Sequence, residues 1–233
     1  KVWTLWQQEL ADVGIPSWAL DLRGHGDSPC TDLSTVCMAD YAADVESVIR
    51  QIGRPPVIIG WSMGGLVALM VAAQGMASAC VTLAPSTPAK RIDPTVTPRP
   101  GVYGAEAYGI GADGEGLDAV MPDLGVDARQ IALESLAAES LYARDERRRG
   151  IIIEALPCPF IILTGGQDTQ WPAERYENLW LNAAKLDFRE ASHWGLVLGV
   201  ATVHNAVQVV EEGVAIQGEE RSQRGDRHPT SVS

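Results

Sequence analysis

The chain has 233 residues, 46% hydrophobic and 21% charged, which is enough for one large domain or for one domain carrying an insertion. Lys and Arg number 18 against 30 Asp and Glu, and the resulting formal charge of −12 repels phosphate backbones and anionic lipid head groups. Nucleic-acid and membrane partners are therefore not expected, and the apolar run 66–73 stops at Gln74, far short of the roughly 20 residues of a membrane span.

The opening KVWTLWQQEL has neither the basic and apolar regions nor the cleavage site of a secretory signal. Cys30, Cys37, Cys80 and Cys158 are scattered without a CxxC pair, which points away from zinc and from a disulfide framework. The expectation is a cytoplasmic protein with reduced thiols.

Taken in order, residues 2–13 read as a helix that ends at Gly14, and 17–22 as an apolar strand that runs into the turn Arg23-Gly24-His25-Gly26. Asp40 stands as an N-cap before Tyr41, Val45, Val48, Ile49 and Ile52, which recur at helical spacing until Gly53. Pro55-Pro56 lead into a buried strand at 57–59. A turn at 60–65, a helix at 66–73 that is apolar nearly all round, and a strand at 80–83 follow. This βαβ alternation predicts an α/β fold with a mostly parallel, doubly wound sheet.

From Pro85 to Pro100 the texture turns to Pro, Thr and Ser, and 101–125 is Gly-rich and acidic without a strand pattern. Residues 127–149 recover helical spacing. The core pattern resumes with a strand at 160–163, a helix at 172–183, a short strand at 186–188 and a closing helix at 202–212. The organisation expected is a core of 1–87 and 157–212, a helical cap insertion at 88–156, and a disordered tail at 213–233.

The sharpest chemical signal is Gly60-Trp61-Ser62-Met63-Gly64, because it lies between a buried strand and a buried helix. A serine in so sharp a turn needs small neighbours, and its hydroxyl stands exposed at the carboxyl edge of the sheet, where the helix N-terminus favours developing negative charge. Ser62 is the candidate nucleophile.

With that motif in view, the chain resembles the α/β-hydrolase superfamily. Asp21-Leu22-Arg23-Gly24-His25-Gly26-Asp27-Ser28 is similar to the turn after an early core strand there, and 60–65 to the nucleophile elbow. Leu163-Thr164-Gly165-Gly166-Gln167-Asp168 is similar to the strand end that carries the acid, and Ala191-Ser192-His193-Trp194-Gly195 to the histidine loop, although many members have Gly where Ser192 stands. The resemblance covers residues 1 to about 212, and 88–156 matches the variable cap in position only.

The resemblance implies the order Ser62, Asp168, His193, in which the imidazole takes and returns the serine proton while the carboxylate fixes its tautomer. Asp187 and Glu190 stand nearby as alternatives for the acid. Trp61, Trp171 and Trp194 flank the proposed site as candidates for an apolar acyl pocket, with plain core packing as the other reading. Across 101–139, eight acids stand against Arg129 alone, which disfavours polyanionic substrates if that stretch overhangs the site.

The activity implied is cleavage of an ester or similar acyl bond of a small neutral substrate through an acyl-enzyme, with no cofactor and no metal. The alternative is a non-catalytic binding protein or inactive fragment that keeps the fold. The backbone N–H of Met63 supplies one oxyanion donor. In the resembled family a second comes from a loop after a strand lying between those similar to 17–22 and 57–59, and no residue here matches it. The expectation drawn is an N-terminally truncated hydrolase with an open slot in its sheet.

Overall fold

The computed structural model describes residues 1–104, 110, 116–136 and 138–225, the stretch 213–225 as backbone alone. Its helices are α1 (Thr4–Asp12), α2 (Met38–Ile52), α3 (Met63–Ala73), α4 (Leu117–Val120), α5 (Val126–Ser135), α6 (Leu141–Arg149), α7 (Gly195–Leu198) and α8 (Val200–Gly225). Its strands are β1 (Val57–Trp61), β2 (Ala79–Leu83), β3 (Val102–Tyr103), β4 (Glu139–Ser140), β5 (Phe160–Gly165) and β6 (Ala184–Phe188).

Four of the strands form one sheet in the order β1-β2-β5-β6, every pair parallel. Strand alternation sends neighbouring residues to opposite faces. Val81, Leu83 and Leu163 join a core with Trp6 and Leu10 of α1, Leu196, Val197 and Leu198 of α7, and Val203, Ala206 and Val207 of α8. Cys80, Phe160 and Ile162 join the other core, with Tyr41 and Ile49 of α2 and the apolar face of α3. Helices thus cover both faces, as the βαβ pattern implies. Because α3 lies between β1 and β2 in the chain and packs on both, Leu66, Leu69 and Val71 are fully buried.

Several local expectations are corrected. Residues 17–22 form no strand. Among the described residues none of their backbone N–H groups meets a backbone acceptor, and Trp18 is 64% exposed. An apolar run becomes a strand only beside a neighbour that takes its N–H and C=O groups. β1, the nearest edge, has a partner on one side only, and a cleft of about 1240 Å³ lined by both 17–22 and β1 lies between them.

Asp40 is not the N-cap of α2. The helix starts two residues earlier, Cys37 is the cap, and the Asp40 carboxylate accepts the Cys37 N–H at 2.9 Å from the third helical position.

Residues 172–183 make only a 3-10 turn at Ala173–Tyr176. Tertiary bonds override helical spacing here: the Tyr176 hydroxyl donates to Pro85 O at 2.8 Å and the Trp180 indole N–H to Ile153 O at 2.8 Å.

The predicted helix 127–149 is two, α5 and α6, separated by β4. Ser140 caps α6 by accepting the N–H groups of Tyr142 and Ala143, and its own hydroxyl donates to Val36 O. In the Gly-rich stretch, where no strand was expected, β3 pairs antiparallel with β4; 105–109 and 111–115 lie outside the described residues.

The backbone of 213–225 belongs to α8, in a sequence that has no proline there. Residues 226–233 lie outside the described residues. No described helix is long and apolar enough to cross a membrane.

Candidate active site

Ser62 is the single residue between the end of β1 and the start of α3. It sits at φ 55°, ψ −121°, a strained backbone for a residue with a side chain, and the surroundings hold it there. Its N–H donates to Leu83 O at 3.0 Å, and its carbonyl accepts from Gly65 at 3.0 Å and from Ser86 at 2.9 Å. Such a turn demands a close strand–helix approach. A Cβ on Gly60 would collide with Gly64 O and come within 2.8 Å of Ala68 Cβ, and one on Gly65 would come within 2.6 Å of Pro85 Cβ. Gly64, by contrast, faces open space.

Met63 opens α3, where the first N–H groups have no intrahelical acceptor. Ser62, Met63 and His193 all line the 1240 Å³ cleft.

The histidine and the acid meet as the motifs imply. His193 Nδ1 lies 2.6 Å from Asp168 Oδ2, both residues only 4% exposed. Since a carboxylate only accepts, Nδ1 carries the proton and Nε2 is left as the basic nitrogen. Asp168 follows the end of β5, and its Oδ1 accepts the N–H groups of Gln170 and Trp171, each at 2.8 Å. Burial alone would raise its pKa. The hydrogen bond and charge of His193 together with those two N–H groups outweigh burial and hold the carboxyl below its ordinary range.

The alternatives are used elsewhere. Asp187 accepts from the Thr164 hydroxyl at 2.9 Å, and Glu190 accepts from Gln167 at 3.3 Å. Of the other histidines, His25 stacks edge-on against Tyr41, with its Nδ1 3.1 Å from Arg23 O, and His204 meets Glu9 at 2.8 Å. His228 lies outside the described residues.

The three tryptophans divide. Trp61 and Trp194 line the cleft with their ring centroids 4.6 Å apart. Trp171 does not line it. The turn around Asp168 Oδ1 carries its ring into contact with both cores, under the Arg175 guanidinium at 4.8 Å, and Gln170 takes the place at the cleft.

Trp61 also does more than the sequence disclosed. Its indole N–H donates to His193 O at 2.9 Å and its ring lies 5.1 Å from the imidazole, so the strand that presents the serine also holds the histidine. Ser192, at a position where glycine was the commoner expectation, has its hydroxyl 3.0 Å from the Gly195 N–H, which donates to it and closes the turn into α7. Neither contact leaves a local sequence signal, since each depends on a fold-distant or backbone partner. Among the described residues no cluster of three His, Cys, Asp or Glu is placed to hold a metal.

Known proteins resemble this chain in sequence and in fold. A pimeloyl-[acyl-carrier protein] methyl ester esterase of Neisseria meningitidis serogroup C is 28% identical over 187 residues, 70% of this chain and 69% of that protein. The serogroup B counterpart (strain H44/76) is 48% identical over 59 residues, 25% of this chain, so the match spans about a fifth (21%) of that relative's length.

Among solved structures, a methylesterase from Arabidopsis superposes with a TM-score of 0.69 at 15% identity, covering 92% of this chain and 93% of that one. Polyneuridine aldehyde esterase gives 0.67 at 18% identity, covering 90% and 93%. At those identities the likeness speaks for the fold. The family model described as alpha/beta hydrolase family matches residues 2–205, most of the chain. The protein belongs to the alpha/beta hydrolase family.

Proposed function

We propose that the protein is a serine hydrolase that cleaves the ester bond of a small neutral substrate through an acyl-enzyme. The observation that carries this reading is the buried His193–Asp168 pair opening onto the same cleft as a serine held at a strained strand-to-helix turn.

In the reaction so read, Ser62 Oγ attacks the ester carbonyl carbon while His193 Nε2 takes its proton. The oxyanion forms beside the Met63 N–H at the positive end of α3. Collapse breaks the bond to the alkoxide, which leaves as the alcohol with the proton returned by His193. Water then attacks the acyl carbon, gives a proton to His193 and releases the acid, and the proton returns to Ser62. Asp168 holds the imidazole in the reactive tautomer and offsets its charge.

The segment 88–156 is assigned as a cap on a core of 1–87 and 157–212, with Trp61 and Trp194 at the acyl side of the cleft. Turnover of esters of graded acyl length tests the reading. Ser62→Ala is expected to lower it by about 10⁴ to 10⁶ with the melting temperature nearly unchanged. Retention of more than about a tenth of the activity would remove Ser62 from the role.

A second substrate reading is a methyl ester carried on a protein, as in the names of the Neisseria relatives. What favours it is the exposed set Lys90, Arg91, Arg99, Arg148 and Arg149 on an acidic chain, of which Arg99 and Arg148 also pair with Asp145; such exposed cations suit a carrier with an acidic surface. Faster turnover of carrier-bound than of free methyl esters, lost in high salt, separates the two.

A further inference from the structure

We infer that Asp123, in the inserted segment, is a positioning residue for His193, so that the seating of that segment sets the geometry of the proposed general base. The inference rests on the reading of His193 just given. Its starting point is a long-range contact: the Ser192 N–H, one residue before His193, donates to Asp123 Oδ2 at 3.0 Å across 69 residues of chain. The same carboxylate lies over the backbone two residues after His193, because a Cβ built on Gly195 would fall within it. Asp123 therefore touches the histidine loop on both sides of the imidazole-bearing residue.

The rest of that loop is fixed from the core. The Trp61 indole holds His193 O, the Ser192 hydroxyl accepts the Gly195 N–H, and Ser192 O accepts Leu196 N–H at 3.3 Å. The Ser192 N–H finds its acceptor outside those contacts, on the Asp123 carboxylate of the inserted segment.

The segment bearing Asp123 is itself anchored. Met121 and Leu124 are buried in the same cluster as Trp194, Leu196 and Val197, and Arg129 donates to Met121 O at 3.1 Å. A carboxylate accepting a backbone N–H is stronger than a neutral pair, and an error of about 1 Å in a catalytic group can lower a rate by about 10²-fold. Neither Asp123 nor Gly195 lines the cleft, so neither is placed to touch substrate.

The test is a double-mutant cycle on ester turnover with melting temperature recorded for every variant. Asp123→Ala is expected to lower kcat about tenfold with KM within about twofold, and Asp123→Asn, which keeps an acceptor oxygen, to restore most of the loss. Gly195→Ala, which drives the carboxylate away, is expected to lower kcat by a similar factor. The double variant is expected to match the worse single variant instead of showing the product of the two losses.

Wild-type kcat in Asp123→Ala, or losses that multiply in the double variant, would overturn the inference. So would a loss in Asp123→Ala confined to KM or to melting temperature. His193→Ala is run alongside: full activity there removes the reading of His193 itself, an outcome distinct from inactivity in His193→Ala with normal activity in Asp123→Ala.

Discussion

At the scale of single residues, the elbow shows that a motif's letters and its physics are not the same thing. GxSxG names Gly60 and Gly64, yet the crowded positions are Gly60 and Gly65, and Gly64 has room for a methyl group. Gly60→Ala is therefore expected to cost about 1–3 kcal/mol of overpacking. Gly64→Ala should leave stability unchanged or raise it by up to about 1 kcal/mol through helix propensity. Denaturant melts of the two variants check this, and equal losses would contradict it.

The acid is the second case. Asp168→Asn should lower kcat by about 10⁴, as expected where the imidazole loses its preferred tautomer, whereas Asp187→Asn removes only a bond to Thr164 and should leave turnover within a few-fold. Because the Asp168 carboxyl is held below its unfolded value of about 3.9, its contribution to stability is complete above that pH. It is lost as pH falls through the lower native value. Thermal melts across pH 2 to 6, chosen to span roughly two units either side of the unfolded value, should show a steeper acid loss in the wild type than in Asp168→Asn.

Among elements, those whose signal is local were legible and those that depend on a neighbour were not. α3, β1, β2 and β5 are strongly apolar or β-branched over their whole length, and the sequence places each to within a few residues. Residues 17–22 carry the same apolar texture, but a strand is a relation between two chains of hydrogen bonds, and composition says nothing about whether the second is present. The helical spacing at 172–183 is real too, and the bonds of Tyr176 and Trp180 to Pro85 and Ile153 outweigh it.

The junction of β3, β4 and α6 was equally hidden, and it holds a buried charge pair. Glu139, 5% exposed, accepts from both Arg147 and the Tyr103 hydroxyl. Glu139→Ala leaves the Arg147 guanidinium without that partner and is expected to cost about 3–5 kcal/mol. Glu139→Gln, which keeps an acceptor, should cost less. A denaturation midpoint unchanged in Glu139→Ala would show the pair to be dispensable.

At the scale of the whole molecule, the fold class was readable, and so were the place of Ser62 between β1 and α3 and the approach of Asp168 to His193, because each of the three residues follows the end of a core strand. What the sequence hid is the wiring between distant segments: the Trp61 bond to His193 across 132 residues and the Asp123 bond to Ser192 across 69. Both contacts meet the loop that carries His193, one from the strand that ends just before Ser62 and one from the segment that carries Asp123.

The central claim is that this wiring serves a nucleophilic Ser62. It is tested most directly by exposing the protein to an active-site-directed alkyl phosphonate and locating the adduct by peptide mass spectrometry. The account predicts one stoichiometric adduct on Ser62, absent in Ser62→Ala and formed far more slowly in His193→Ala. An unmodified Ser62 under conditions that label a known serine esterase, or an adduct on another residue, would contradict it.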